Sequence, residues 1–136
     1  MYMREDCIFC KIINKQTNAY VVYETKEVIS FLDINPITRG HLLVVPKKHY
    51  ERFVDIPQED LTAIFKVIHI LCGKVEKKLS DNYNIGMNQG EYAGQIIPHI
   101  HFHVIPRYPG ETEKFPSRHK LNDTEAREIV KLLTED

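Results

Sequence analysis

The run His99-Ile100-His101-Phe102-His103-Val104-Ile105 alternates imidazole and apolar side chains with a period of two. On an extended chain successive side chains point to opposite faces, so Ile100, Phe102 and Val104 share one side and the three histidines share the other. The apolar face belongs to a core and the imidazole face to chemistry. At about 3.4 Å per residue His99 and His103 lie about 13 Å apart, too far to share an ion at Zn–N distances of about 2.0–2.1 Å. Two chemistries remain. Either the neighbours His99 and His101 chelate a catalytic metal, or the three rings take separate tasks, such as nucleophile and charge stabiliser around one phosphate.

Outward from this strand, expected over 99–105 and ended by Pro106, the chain reads as a run of short elements. A fourth strand is expected over 83–88, joined to it by the glycine-bearing loop Gln89-Gly90-Glu91-Tyr92-Ala93-Gly94. Before these, Pro57 suits a first helical position, Glu59 and Asp60 suit the positive end of a helix dipole, and Leu61, Ile64, Phe65, Ile68, Leu71, Cys72, Val75 and Leu79 recur at helical spacing. Runs rich in Val, Ile, Tyr and Phe at 20–24, 28–34 and 41–45 predict three strands, with Pro46 ending the third. The rhythm of Ile8, Phe9, Ile12 and Ile13 predicts a short helix within 6–14, carrying Cys7 and Cys10. Asn122 with Glu125 predicts a capped C-terminal helix through Leu133. Three strands, a helix and two strands suit an antiparallel sheet with helices on one face, an α+β arrangement.

Composition bounds the function. The 136 residues fit one domain, 1–136, and 43% apolar with 27% charged residues is the balance of a folded chain. A net charge of −1 leaves no basic surplus for a long nucleic acid. Apolar runs such as Leu42 to Val45 are far short of the ~20 residues of a membrane helix, and Met1 to Asp6 is too polar for a signal peptide, so a cytoplasmic protein with no membrane partner is expected. Three cysteines, an odd number, point to free thiols or metal ligands rather than a disulfide framework. Cys72 falls on the apolar stripe of the long helix and reads as core; His69 and His119 belong to no motif.

The histidine run resembles the signature of the histidine-triad (HIT) family, His-φ-His-φ-His-φ-φ with φ apolar. Cys7-Ile8-Phe9-Cys10-Lys11-Ile12-Ile13, Phe31-Leu32-Asp33-Ile34, Gly40-His41-Leu42-Leu43-Val44-Val45-Pro46-Lys47-Lys48-His49, and Asn88 with Gly94-Gln95 match it too, so the resemblance spans residues 7–108, leaving 109–136 as a tail. It implies a five-stranded antiparallel sheet with the long helix packed on it, and a homodimer. It also implies hydrolysis of adenosine phosphoramidate or a dinucleoside polyphosphate, releasing a nucleoside monophosphate such as AMP.

By the same resemblance, His101 attacks the α-phosphate and forms a nucleotidyl-histidine. His103 and the backbone amides of Gly94-Gln95-Ile96 stabilise the transferring oxygens, and His41 helps hold the His101 ring. Asp33 binds ribose, Ile34 lies against the base of a purine nucleotide, and Asn88 reaches ribose or phosphate; without the family, Asp33 reads as a turn residue before Asn35-Pro36. Ile96 stands where many family members have Ser or Thr, so a hydroxyl near the phosphate is missing. The family's zinc-bearing members resemble the set Cys7, Cys10, His49 and His99, which implies a closed, structural zinc site. Lys114, Arg118 and Lys120 are candidates for contacting distal phosphates. Against this stand a nucleotide-binding module with little turnover and a metalloenzyme using His99 and His101 as catalytic zinc ligands.

Overall fold

The Thr25 hydroxyl accepts hydrogen bonds from the amides of Glu27 (3.3 Å) and Val28 (3.1 Å) and so closes the turn that folds the first strand onto the second. The computed structural model describes residues 4–111 and 120–135; Lys114, Arg118 and His119 lie outside the described residues. The elements are α1 (Ile8–Ile13), β1 (Val21–Glu24), β2 (Val28–Leu32), β3 (Leu42–Pro46), α2 (Gln58–Lys78), β4 (Asn82–Met87), β5 (Phe102–Arg107) and α3 (Asp123–Thr134), with 3-10 turns at Phe53–Asp55 and Glu91–Ala93. The strands form one antiparallel sheet in the order β1-β2-β3-β5-β4. The α+β class and the five-stranded sheet expected from the sequence are present.

Every residue of β2 and β3 is buried, because both faces of the sheet are covered there. Val28, Leu32, Leu42 and Val44 pack with Ile64 and Leu71 of α2 and Ile129 of α3. Ile29, Phe31, Leu43 and Val45 pack on the opposite face with Phe9, Cys10 and Ile13 of α1. The expectation of helices on one face is therefore corrected: α1 covers the second face and brings its two cysteines toward the histidines.

Of the boundaries that differ from the sequence reading, three have a visible cause. Regular pairing in β5 starts at Phe102 rather than His99, because the Ile100 amide donates to the Tyr50 carbonyl (2.7 Å) and the His99 amide to Ile97 (2.9 Å), which curls this stretch out of the ladder. Pro106 lies inside β5, not after it. β3 pairs with β5 only from Phe102 to Val104, so the missing proline N–H removes no bond on that side. Pro57 is the N-cap of α2, one position before the expected one. At the other end of the chain Asn122 caps α3 as expected, its Oδ1 accepting from the Glu125 amide at 2.8 Å.

Ser30, in the middle of β2, is completely buried, and its hydroxyl has no partner among the described residues. A buried hydroxyl without a partner carries its desolvation cost uncompensated. Ser30→Ala should therefore leave the stability unchanged or raise it by about 1 kcal/mol, read from the urea midpoint at constant slope. A loss of more than about that amount would show that the hydroxyl is bonded.

Candidate functional site

The backbone carbonyl of His99 fixes the chemistry of His101. His101 Nδ1 lies 2.8 Å from that carbonyl, which can only accept, so the neutral ring carries its proton on Nδ1 and its lone pair on Nε2. His99 is used differently. Its Nε2 lies 2.8 Å from the Pro46 carbonyl and so carries the proton, while Nδ1 faces the sulfurs of Cys7 (3.4 Å) and Cys10 (3.7 Å). Both nitrogens of His99 are thus committed away from His101, and a shared catalytic metal on His99 and His101 does not fit this arrangement. The Phe9 ring packs edge-on against both imidazoles, with centroids 5.8 Å from His99 and 5.1 Å from His101.

His103 takes the opposite tautomer. The Ile37 amide donates to His41 Nδ1 (3.1 Å), so the His41 proton sits on Nε2, 2.9 Å from His103 Nδ1. His103 Nδ1 is therefore the acceptor, and its own proton sits on Nε2. His101 is arranged as a lone-pair donor and His103 as a hydrogen-bond donor, with ring centroids 5.0 Å apart. His41, buried at 1% exposure, reaches His103, because His41 precedes β3 and Leu43 of that strand pairs with His103. Asp33 Oδ2 lies 3.7 Å from His41 Nε2. Asp33, His41 and His103 are close enough to suggest a metal trio, but the Ile37 amide on Nδ1 obliges His41 to keep its Nε2 proton, which a metal would have to replace.

His101 and His103 open onto a cavity of about 290 Å³. Asp33, Ile34, Asn88, Gly94 and Ile96 line it too, with Phe9, Ile12, Phe31 and Leu43 as an apolar wall. Asp33 also keeps the turn role open to it from sequence, since its Oδ1 accepts from the Asn35 amide at 2.8 Å. Gln95 is placed differently. It does not line the cavity, and its side chain is committed within the loop, Oε1 accepting from Gly90 (2.8 Å) and Nε2 donating to Ile97 (3.1 Å). Two of the three amides expected to face a phosphate are also committed, Gly94 N–H to Glu91 (3.0 Å) and Gln95 N–H to Gly90 (3.0 Å). The Ile96 amide has no partner among the described residues. Gly94 closes the 3-10 turn at φ 93°, in the left-handed region that a side chain would strain.

Cys7, Cys10, His49 and His99 converge from three segments, with ligand atoms all within 4.8 Å of one another and all four residues buried or nearly so. The Cys10 sulfur lies 3.3 Å from His49 Nδ1. A tetrahedron built on Zn–S of about 2.3 Å and Zn–N of about 2.05 Å has S···N edges of about 3.5 Å, so this donor set fits zinc in kind and spacing. Burial holds His99 down to about 4 and lowers His49 as well, so both rings are neutral, as ligands must be. Burial also raises the Cys10 thiol, and a coordinated cation would act in the opposite direction. The sequence reading singled out the cysteines but missed Phe9 between them, and it missed the Pro46 and His99 carbonyls and the Ile37 amide. Backbone groups carry no residue-type signal.

Residues 14–110 match the family model of the HIT domain. The chain is 52% identical over 107 residues to an uncharacterized HIT-like protein of Methanocaldococcus jannaschii, covering 79% of this chain and 83% of that one. It is 34% identical to an adenosine 5'-monophosphoramidase of Candida albicans, covering 97% of each chain. A zinc-bound histidine triad family protein from Mycobacterium smegmatis shares the fold at a TM-score of 0.81 and 33% identity, over 94% of this chain and 93% of that one. The histidine strand lies inside the matched segment and its fold extends over nearly the whole chain, so this protein belongs to the HIT domain family.

Proposed function

We propose that the protein hydrolyses a nucleoside phosphoramidate, such as adenosine phosphoramidate, through a nucleotidyl-His101 intermediate. The observation that carries this reading is the 2.8 Å bond from His101 Nδ1 to the His99 carbonyl, which places the lone pair on Nε2 beside a histidine of opposite tautomer. The nucleoside lies along the apolar wall with its ribose hydroxyls on Asp33. His101 Nε2 attacks the α-phosphorus; a P–N bond forms to the ring while the P–N bond to the amine, its nitrogen protonated from solvent, breaks, and the departing nitrogen keeps the electron pair and accepts a hydrogen bond from His103 Nε2–H. Water then attacks phosphorus from the opposite side and loses its proton to solvent, with His103 Nε2–H hydrogen-bonded to the phosphoryl oxygens. The P–Nε2 bond returns its electrons to His101, and the nucleoside monophosphate leaves. The Ile96 amide supplies a hydrogen bond to a non-bridging oxygen throughout.

Among the described residues the cavity wall carries neither Lys nor Arg, and its exposed rim is Ile96. A polyphosphate leaving group would bring charges that meet no cation among the described residues of the cavity wall. Adenosine phosphoramidate should therefore be favoured over Ap3A and Ap4A by about 100-fold in kcat/KM, the effect of two unmet charges at about 1.4 kcal/mol each. A substrate panel read by released AMP tests this. Equal or faster cleavage of Ap4A overturns the substrate assignment, and AMP binding without turnover of any of the three returns the protein to a nucleotide-binding module.

Zinc is the ion that Cys7, Cys10, His49 and His99 would hold, and with four protein ligands it supplies a structural cross-link rather than a reactive centre. We carry the homodimer and the cytoplasmic location as part of the same reading. β4 stands at the edge of the sheet with Ile85 about half exposed, a strand able to pair with a second copy. No helix among the described residues is long and apolar enough to cross a membrane.

A further inference from the structure

Two carboxamides near the site, neither of them a reacting group, are committed at both ends. Gln95 bridges Gly90 and Ile97 within the loop itself. Gln89 bridges the loop to another segment: its Oε1 accepts from the Phe53 amide at 2.7 Å, and its Nε2 donates to the Glu51 carbonyl at 3.2 Å. Residues 50–53 form a strap directly after His49, and the Tyr50 carbonyl of the same strap accepts from the Ile100 amide at 2.7 Å. The strap thus grips the 89–100 segment at both ends. Between those grips the Gln95 amide is held by Gly90 and the Ile97 carbonyl by Gln95 Nε2, so the 94–95 and 97–98 peptide groups, one step outside those that flank Ile96, are both restrained.

We propose that Gln89 is a positioning residue for the phosphate-facing loop, clamping its entry to the strap after His49 so that the Ile96 amide keeps its register with His101 and His103. This rests on the reading of the cavity as a phosphate site. Neither bond of the clamp is deeply buried, so water replaces both at little cost in stability when the amide is removed. What is lost is the placement of the loop. Gln89 touches neither substrate nor the reacting rings; it acts through the backbone.

Gln89→Met keeps length and volume and removes both bonds. The experiment compares it with the wild type by amide hydrogen exchange, with and without AMP, and by kcat and KM for adenosine phosphoramidate. The expected result is exchange about tenfold faster at Phe53 and Gly90, with kcat down about tenfold and KM changed less than about twofold. Gln89→Glu keeps an acceptor for Phe53 but no donor for Glu51, and should fall between the two. The proposal is overturned if kcat is unchanged while the loop exchanges faster, if neither changes, or if exchange quickens evenly across the sheet. A wild type that shows neither turnover nor AMP protection of the Ile96 amide overturns the phosphate-site reading and the proposal with it. An active wild type with an unchanged variant overturns the role of Gln89 alone.

Discussion

His101→Asn is expected to abolish turnover of adenosine phosphoramidate, lowering kcat by at least about 10⁴-fold, while AMP still binds. Asparagine places an amide N–H near the former Nδ1 position, so the His99 carbonyl, which bonds His101 at 2.8 Å, keeps a donor and the local backbone has no reason to move. What disappears is the Nε2 lone pair, and with it the covalent step. His103→Asn should cost less, about 10²–10³-fold, because it removes the Nε2–H hydrogen bond to the departing amine but leaves the nucleophile in place. Quenching the wild type at alkaline pH, where a phosphorus–imidazole bond survives, should trap a nucleotidyl adduct on His101 detectable by mass spectrometry. Turnover of His101→Asn within tenfold of the wild type would sink the mechanism, as would an adduct that maps to another residue.

Cys10→Ala should lose the metal and much of the fold's stability together. Cys10 is fully buried and its sulfur lies 3.3 Å from His49 Nδ1 and 3.7 Å from His99 Nδ1, so it contacts two of its three co-ligands. Those two rings arrive from different parts of the chain, His49 after β3 and His99 before β5, while Cys10 sits on α1. Removing the thiolate releases all three segments. A structural zinc site is worth about 10–16 kcal/mol in small peptides; in a protein with its own core the loss is smaller, several kcal/mol, or a fall in Tm of about 10 °C or more. Zinc per chain, measured by elemental analysis, should fall from one to near zero. Cys72→Ala is the control: Cys72 packs in the larger core away from this cluster, so that variant should keep its zinc. Retention of stoichiometric zinc by Cys10→Ala would show that the ligands lie elsewhere. Chelation separates a structural from a catalytic ion in the wild type, since a structural ion predicts activity lost only as fast as the protein unfolds.

Much of this arrangement was legible before folding was considered. Alternation along residues 99–105 put the histidines on one face, and the apolar members Ile100, Phe102 and Val104 are indeed in the core. Turn residues bounded the first four strands to within two residues, and Asn122 announced its cap. These signals are local: they come from the chain's own periodicity and from side chains bonding to backbone a few positions away. The reading went astray where a long-range bond overrode local pattern. His99 leaves the ladder because Tyr50 takes the next amide.

The sequence by itself determined that three histidines share a face, that two cysteines lie three residues apart in an apolar helical rhythm, and that nothing in the charge balance suits a long polyanion. Only the tertiary structure decided what each ring does. The tautomers of His99, His101 and His103 follow from the Pro46 carbonyl, the His99 carbonyl and, through His41, the Ile37 amide. All three are backbone groups, two of them far from their histidine along the chain. Every residue but proline carries the same amide and every residue the same carbonyl, so which of them meets an imidazole is written nowhere in the order of side chains. It is set when β3 and β5 pair and the strap after His49 closes over them.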